Sequence, residues 1–411
     1  MPAEKQNKKG KSNVRNIVGL GLTSFFNDAA SEMIYPLLPR FLAVTLGAGP
    51  TGLGLVEGIA KSTSSILKLF SGWLSDKLRK RKIIFFSGYL FSNILRPLIA
   101  FVTSWAHVLI IRFADRVGKG VRTAPRDALL ADSASEKHKS FAFSFHRAMD
   151  HFGALVGPII AWLLMDSFNF THRKVFLFSV VPGVFVMLTI IFLVKEKIPK
   201  KRKDPDVEFK EQAAEKAFFE KGKPGKKLPK HFYYYLTIII IFTLGNSADA
   251  FLLLLASEKG VPLELIPILW GLHSLSKMSF SFLGGWLGDR WSKKGSVILG
   301  WFIYGIVYLG FAFAFKTIHI WFLFASYGIY FGLTEGVEKA IVSVYSESEN
   351  YGKAYGLYNL AIGIGALPAS LIFGFLWQTF SYKIAFITGA SLAVLASVIL
   401  LFLPIKKIEK K

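Results

Sequence analysis

The stretch VFLFSVVPGVFVMLTIIFLV, residues Val175 to Val194, is apolar along its whole length and contains no charged residue. A helix of roughly 20 apolar residues is long enough to cross the ~30 Å hydrocarbon core of a bilayer. Because lipid offers the backbone no hydrogen-bond partner, such a run must be helical. A second run of this kind, SVILGWFIYGIVYLGFAFAF, covers Ser296 to Phe315. The sequence therefore predicts a helical membrane protein.

Runs of this kind recur along the chain and predict an all-α, polytopic membrane protein with twelve transmembrane helices in two pseudo-symmetric six-helix bundles. The predicted spans begin near Asn16, Thr51, Lys82, Ala106, Ser140, Lys174, Phe232, Leu263, Ser296, His319, Gly352 and Tyr382. The spans at Thr51, Ala106, Ser140 and Leu263 are the least apolar. The predicted organisation is a basic tail (1–15), a first bundle (16–194), a middle loop (195–231), a second bundle (232–404) and a second tail (405–411).

The formal net charge is +23, which by itself would suggest a nucleic-acid partner. The basic residues, however, gather in the two tails, in the middle loop and in the loops DKLRKRK and DRWSKK. With twelve spans all these segments fall on one side, as the positive-inside rule requires of the cytoplasmic face. We therefore expect no nucleic-acid partner, cytoplasmic termini, and a plasma membrane location, which in a prokaryote is the inner membrane. Binding of anionic headgroups is the alternative role of these basic segments.

Two parts of the chain repeat each other. SGWLSDKLRKRK, residues 71–82, recurs as GGWLGDRWSKKG, residues 284–295, and each copy lies between two predicted spans. FGALVGP, residues 152–158, has a weaker counterpart in IGIGALP, residues 362–368. The two copies are separated by about half the chain in each case. A duplicated six-helix unit is typical of transporters.

The repeated loop resembles the motif between spans two and three of the major facilitator superfamily. The residues that carry this resemblance are Gly72, Asp76 and Arg79 in the first copy and Gly285, Asp289 and Arg290 in the second. The resemblance implies a twelve-helix carrier, expected to be a monomer, in which these residues act in gating. A carboxylate such as Asp76 can stabilise one conformation by facing the N-terminus of a helix in the other half, for which the helix starting near Gly352 is the candidate.

A second resemblance concerns the direction of transport. GALVGPIIA, residues 153–161, is similar to the fifth-span motif of proton-coupled drug antiporters in the same superfamily, except that Ala161 replaces a Gly. RFADRVG resembles the fourth-span motif of the superfamily, with Arg116 in place of a Gly. Gly153 and Gly157 are spaced to let two helix backbones approach closely, and Pro158 interrupts the helix hydrogen-bond pattern. We expect these three residues to take part in gating.

The fourth predicted span contains RFADRVGKGVRTAPRD, residues 112–127, in which seven residues are charged. At 100° per residue its charged side chains share one face, and apolar residues occupy the other. Charges at membrane depth persist only when they are paired or hydrated. We therefore predict that this face lines a water-filled cavity, and that Asp115 pairs with Lys119 one turn away.

Other predicted spans carry polar residues at similar depth, most of them in the first half. A carboxylate withdrawn from water can take up a proton near neutral pH, and an Arg can hold the anionic partner. The predicted proton-coupling residues are Asp28, Glu32, Arg112 and Asp150. The predicted substrate-binding residues are Arg116, Asp115, Lys119, Glu57, Lys61, His146, Arg147, Asn246 and Asp249. The alternative is that these charges only hold the helices together as salt bridges.

The sequence contains no phosphate-binding GxxxxGK[ST] motif and no cysteine, so ATP-driven transport and thiol chemistry are not expected. His146 and Asp150 lack further ligands for a metal site. We expect no metal and no cofactor, the proton gradient as energy source, a small-molecule substrate and no enzymatic activity. The leading hypothesis is proton-coupled export of a small organic solute by alternating access. The alternatives are proton-coupled uptake or exchange of an organic anion, such as a phosphate ester, carboxylate or siderophore, and a non-transporting receptor or lipid-handling protein.

Overall fold

The computed structural model describes residues 13–78, 81–134, 139–196, 228–345 and 351–404, and no β-strand occurs in these ranges. Most of both predicted tails and of the middle loop, together with Arg79, lies outside the described residues. So do the side chains of Asp76 and Asp289. The predicted contact between Asp76 and the helix near Gly352 is therefore not described.

The described part of the chain forms twelve long helical segments, labelled α1 to α12. The first six are α1 Val14–Ile34, α2 Gly49–Leu78, α3 Arg81–Leu95, α4 Trp105–Ser133, α5 Lys139–Asp166 and α6 Val180–Leu193. The last six are α7 Lys230–Gly245, α8 Ile266–Arg290, α9 Lys293–Phe313, α10 Thr317–Val344, α11 Tyr351–Thr379 and α12 Tyr382–Phe402. Shorter pieces extend several of them: Leu38–Arg40 and Phe41–Thr45 follow α1, Arg96–Phe101 follows α3, His172–Phe178 precedes α6, and Ala250–Glu258 and Leu263–Leu265 follow α7.

Eight of these segments are long and apolar enough to cross a membrane, as judged within the described ranges. The other four, α1, α2, α4 and α8, carry charged residues that lower their hydropathy. The segment predicted from Ser140 belongs to the apolar eight, so its placement among the least apolar spans was wrong. Charge is therefore concentrated on a few helices, and these helices can tolerate it only if their polar faces turn inward.

The packing of the six helices in the first half recurs in the second half, where each equivalent helix has a number higher by six. In the first half α1 packs on α5 and α6, α4 packs on α2 and α3, and α3 packs on α6. In the second half α7 packs on α11 and α12, α10 packs on α8 and α9, and α9 packs on α12. The two sequence copies therefore adopt the same arrangement, which is the pseudo-symmetry predicted from the repeated loops.

The two halves meet along two helix pairs, α2 with α11 and α5 with α8. Close to the start of α2 the backbones nearly touch, because a Cβ on Gly54 would lie 2.2 Å from the carbonyl oxygen of Ser370. Nearby, the amide of Thr51 donates to the side chain of Gln378 at 3.2 Å. We call the side that holds the start of α1 and the end of α12 the terminal side, and the opposite side, where these contacts lie, the distal side.

Candidate solute-binding site

A cavity of about 520 Å³ lies between the two halves. It is walled by α1, α2 and α4 on one side and by α7, α8, α10 and α11 on the other. Its volume falls within the roughly 300–1,000 Å³ typical of sites for small organic ligands. The arrangement is therefore that of a solute site shared by two bundles.

Cross-half contacts close the cavity on its distal side. They include the α2–α11 contact already described and a hydrogen bond from Arg40 to the hydroxyl of Ser257 at 2.8 Å. On the other side the lining continues to Lys68, Lys339 and Tyr358, which lie toward the terminal ends of their helices. The cavity thus extends toward the terminal side, and the described conformation is closed on the distal side.

The first-half wall of the cavity is rich in charge. Its charged residues are Glu32, Glu57, Lys61, Lys68, Arg116 and Lys119. Four of these six are cationic, so this wall has a positive excess. Within the described part of the chain, no acidic side chain lies within ion-pair distance of Lys61 or Lys119.

Behind this wall lies a network of buried ion pairs. Arg112 donates to Glu57 at 2.6 Å, and both side chains are only 8% exposed. Arg96 donates to Asp115 at 3.1 Å and to the side chain of Asn27 at 3.0 Å. Each charge is compensated by an opposite one at hydrogen-bond distance, which is what allows these groups to lie in a dry interior.

This network corrects two predictions about α4. Asp115 pairs with Arg96 and Arg116, at 3.1 and 3.7 Å, and not with Lys119. Arg96 lies on a neighbouring helical segment and competes better for the carboxylate because both groups are buried. The polar face of α4 is also divided: Arg112 and Asp115 are enclosed in ion pairs, whereas Arg116 and Lys119 line the main cavity.

Asp28 lies beside the main cavity in a smaller one of about 60 Å³. The two cavities share four lining residues, namely Glu32, Tyr35, Arg116 and Lys119. Asp28 accepts a hydrogen bond from Asn27 at 2.9 Å, and no described basic side chain lies within ion-pair distance of it. Asp28 and Glu32 therefore lie near Arg116 and Lys119, but neither carboxylate forms an ion pair with these cations.

The polar residues of α5 do not line the main cavity. His146 and Arg147 both lie 3.6 Å from a carboxylate oxygen of Asp150, which also accepts a hydrogen bond from Ser24 of α1. His146 and Asp150 are therefore neighbours one turn apart, as their spacing indicates. No group of three His, Asp or Glu side chains arranged to hold a metal occurs in the described ranges.

The second-half wall combines aromatic rings with carboxylates that already have partners. Glu335 pairs with Lys277 at 3.3 Å and with Lys339 at 3.7 Å. Asp249 accepts a hydrogen bond from the hydroxyl of Tyr327 at 2.8 Å. Glu338 accepts hydrogen bonds from Trp301 and Tyr358 at 2.9 and 2.7 Å. The rings that line this wall are Phe242, Trp270, Tyr330, Phe331 and Tyr358.

Asn246 and Asp249 lie where α7 is interrupted, because residues 246–248 are not helical. Asn246 donates to the hydroxyl of Tyr330 at 2.9 Å, and its side-chain oxygen is buried without a described partner. Both residues line the cavity. A broken helix at the midpoint of a bundle offers polar groups to a solute without exposing them to lipid.

One hydrogen bond crosses the cavity from half to half. The indole nitrogen of Trp270 in α8 donates to a carboxylate oxygen of Glu32 in α1 at 2.7 Å. No described cation lies within ion-pair distance of Glu32. This carboxylate therefore links the two bundles through a neutral donor.

The residues predicted to act in gating fall in two places. Gly153 and Gly157 of α5 contact α1 so closely that a Cβ on either would lie 2.3 or 2.6 Å from the carbonyl oxygen of Phe25 or Ala29. Pro158 follows them inside α5. Gly72 lies in α2, and Gly285 and Arg290 lie at the terminal end of α8. The close helix approach is confirmed, and the gating role stays a prediction.

Sequence reasoning missed Arg96 and Trp270. Arg96 sits in an otherwise apolar run, ILRPLIAF, and a lone Arg at membrane depth is itself a signal of a buried partner. Trp270 had no such signal, because a Trp near a helix end is common in membrane proteins. Only the packing of α8 across α1 shows that its indole reaches Glu32.

Comparison with known proteins agrees with this architecture. The Major Facilitator Superfamily description matches residues 20–338 and 250–411. The chain belongs to this superfamily. Over 406 residues it is 36% identical to an uncharacterized MFS-type transporter of Methanocaldococcus jannaschii, covering 97% of this chain and 98% of that one.

Two further likenesses are more distant. A multi-drug resistance efflux pump PmrA homolog of Lactococcus lactis is 23% identical over 408 residues, covering 97% of this chain and 96% of that one. The crystal structure of the nucleoside transporter NupG superposes with a TM-score of 0.75 at 13% identity, covering 96% of this chain and 99% of that one. The similarity to NupG shows only that the two proteins share a fold. The chain is thus an integral membrane transporter of the major facilitator superfamily.

Proposed function

We propose that this transporter exports a small organic solute from the cytoplasm in exchange for protons, by alternating access of the central cavity. The terminal side is then the cytoplasmic side, in keeping with the basic loops located there. The two pseudo-symmetric bundles rock about the cavity, so that the distal contacts open as the terminal side closes. The described conformation is the one open to the cytoplasm.

One observation carries the proton coupling. Glu32 borders the cavity, and the hydrogen-bond partner of its carboxylate is the neutral indole of Trp270, at 2.7 Å. A carboxylate held by a neutral donor can gain or lose a proton without breaking an ion pair. Glu57, by contrast, is fixed in a buried pair with Arg112. Glu32 and its neighbour Asp28 are therefore the proposed proton carriers, and Arg112 and Asp150 have supporting roles.

Export is favoured over uptake by the likeness of the fifth-span motif to drug antiporters and by the full-length similarity to a multi-drug resistance efflux pump homolog. Uptake or exchange of an organic anion is the second candidate, and the cationic excess of the first-half wall favours it. Proton-coupled uptake moves the solute in the same direction as the protons, whereas antiport moves it in the opposite direction, so one flux experiment separates export from uptake.

The test uses the full chain reconstituted into vesicles that contain a pH-sensitive dye. Fluorescein, an organic anion, and ethidium, an organic cation, serve as probe solutes under an imposed pH gradient. Antiport predicts that the solute moves against the proton flow, and that Glu32→Gln and Asp28→Asn abolish the gradient-driven flux while the protein stays folded. Glu264→Gln, at an exposed position on the distal side, is the matched control and should transport normally.

Three outcomes would contradict the proposal. Solute movement in the same direction as the protons would replace export by uptake. Normal flux in both Glu32→Gln and Asp28→Asn would remove the proposed proton carriers. No gradient-driven flux of either probe, together with no proton movement, would remove the proposed coupling of solute movement to protons.

A further inference from the structure

The cavity contains charges that have partners and charges that do not, and this difference points to a substrate class. Its acidic groups are all engaged: Glu57 by Arg112, Glu335 by two lysines, and Glu32, Asp249 and Glu338 by neutral donors. Lys61 and Lys119 have no side-chain partner among the described residues. On the first-half wall Glu57 is paired with Arg112, which leaves four cations against one carboxylate, Glu32, so this wall carries a positive excess.

Three cations of this wall, Lys61, Arg116 and Lys119, lie on the neighbouring helices α2 and α4. Arg112 pairs with Glu57, and a Cβ on Gly120 would lie 2.5 Å from Cβ of Leu67, so α2 and α4 run side by side in a fixed register. This register places Arg116 at about the level of Lys61 on the neighbouring helix. Lys119 lies about one helical turn nearer the terminal side. All three cations line the cavity.

The opposite wall presents a group of aromatic rings. Phe242 and Tyr330 have ring centroids 6.1 Å apart, and Tyr330 and Phe331 have theirs 4.4 Å apart. Trp270 completes the aromatic lining. Aromatic walls accept both organic cations and the apolar bodies of anions. The unpartnered lysines on the facing wall decide between the two, because they repel a cation and attract an anion.

We propose that the transported solute is an organic anion with an aromatic or otherwise flat apolar body. Its anionic group binds between Lys61 and Lys119 near Arg116, and its body packs on Phe242 and Phe331. This rests on the proposed function, since the cavity must be the transport site. Binding replaces the water around two ammonium groups by a charge-assisted contact, which is stronger than a contact between neutral groups.

The test is binding of two probes that share a ring system and differ in charge. 2-Naphthoate is an anion and 2-naphthylmethylammonium is a cation of nearly the same shape. Calorimetric titration of the purified full chain should show naphthoate binding more tightly than the cation. Lys61→Gln and Lys119→Gln should each weaken naphthoate binding by about tenfold or more, since a charge-assisted hydrogen bond is lost. Lys119→Arg should retain it.

Lys316→Gln is the control, because Lys316 is exposed outside the cavity. Thermal unfolding of each variant shows whether it is folded. Tighter binding of the cation, absence of naphthoate binding, or wild-type naphthoate affinity in both glutamine variants would overturn the proposal. Naphthoate binding without gradient-driven flux would retain the ligand class and refute the proton-coupled transport, so the two failures are distinguishable.

Discussion

The indole nitrogen of Trp270 lies 2.7 Å from a carboxylate oxygen of Glu32, and this hydrogen bond joins the second half of the molecule to the first. The two residues are on α8 and α1, which belong to different bundles. A contact made in one conformation and broken in the other biases the equilibrium between them by its own free energy.

Trp270→Phe should therefore shift the protein toward the conformation open on the distal side. The substitution keeps an aromatic ring and removes the N–H donor, and a hydrogen bond to a charged group contributes roughly 1.5–3 kcal/mol. The chain has no cysteine, so Ser370→Cys places a single thiol at the distal contact, where Ser370 is 1% exposed. Maleimide labelling of this thiol should become about tenfold faster in Trp270→Phe.

Trp301→Phe is the matched control for that experiment. Trp301 also donates an indole hydrogen bond to a carboxylate, Glu338, but both residues belong to the second half. Its loss should leave the labelling rate of the Ser370→Cys thiol unchanged. Equal rates in Trp270→Phe and in the parent would show that the Glu32 contact does not hold the distal side closed.

Glu57→Gln should destabilise the folded protein. It leaves the buried Arg112 guanidinium without a compensating charge, and breaking a buried ion pair by removing one partner costs about 3–5 kcal/mol. The double variant Glu57→Gln/Arg112→Gln removes both charges and should recover part of the loss. The measurement is the thermal unfolding midpoint in detergent. A single variant as stable as the parent would mean that the pair contributes nothing to the fold.

Gly153→Ala should separate α5 from α1. A Cβ at this position would lie 2.3 Å from the carbonyl oxygen of Phe25, which is backbone and cannot rotate away. Overpacking of this kind costs about 1–3 kcal/mol. Gly336→Ala is the control, since nothing lies within 4 Å of its Cβ position. We expect a lower unfolding midpoint for Gly153→Ala alone, and equal midpoints in the two variants would contradict the close approach.

The helices could be predicted from the sequence because each apolar run carries its own signal. Eleven of the twelve predicted spans begin within three residues of a described long helix, from Asn16 against Val14 to Tyr382 against Tyr382, and the span predicted from Lys174 begins within the short piece His172–Phe178 that precedes α6. The duplication was also visible, since the loops before Lys82 and Gly295 repeat the same pattern. Hydropathy and periodicity are local properties, and a single sequence contains them in full.

Ion-pair partners could not be predicted in the same way. The spacing of Asp115 and Lys119 favours a pair within α4, yet Asp115 binds Arg96 of a neighbouring segment. The choice depends on which side chains are buried together, and that is set by helix packing. In the second half Asp249 was predicted as a substrate-binding residue, and it lines the cavity. Glu335 and Glu338 line the cavity as well but were not predicted as site residues, because only the assembled bundle brings their face of α10 to the site.

The most direct test of alternating access measures two distances, one on the distal side and one on the terminal side. Because the chain has no cysteine of its own, each label is placed at an introduced cysteine. Spin labels at Thr51→Cys and Gln378→Cys span the distal contact between α2 and α11, and labels at Thr123→Cys and Ser343→Cys span the terminal side between α4 and α10. Electron–electron distance distributions are recorded at acidic and mildly alkaline pH, with and without 2-naphthoate. Alternating access predicts that the distal distance lengthens in the populations where the terminal distance shortens. If each pair shows one distance that stays the same under every condition, the account is contradicted.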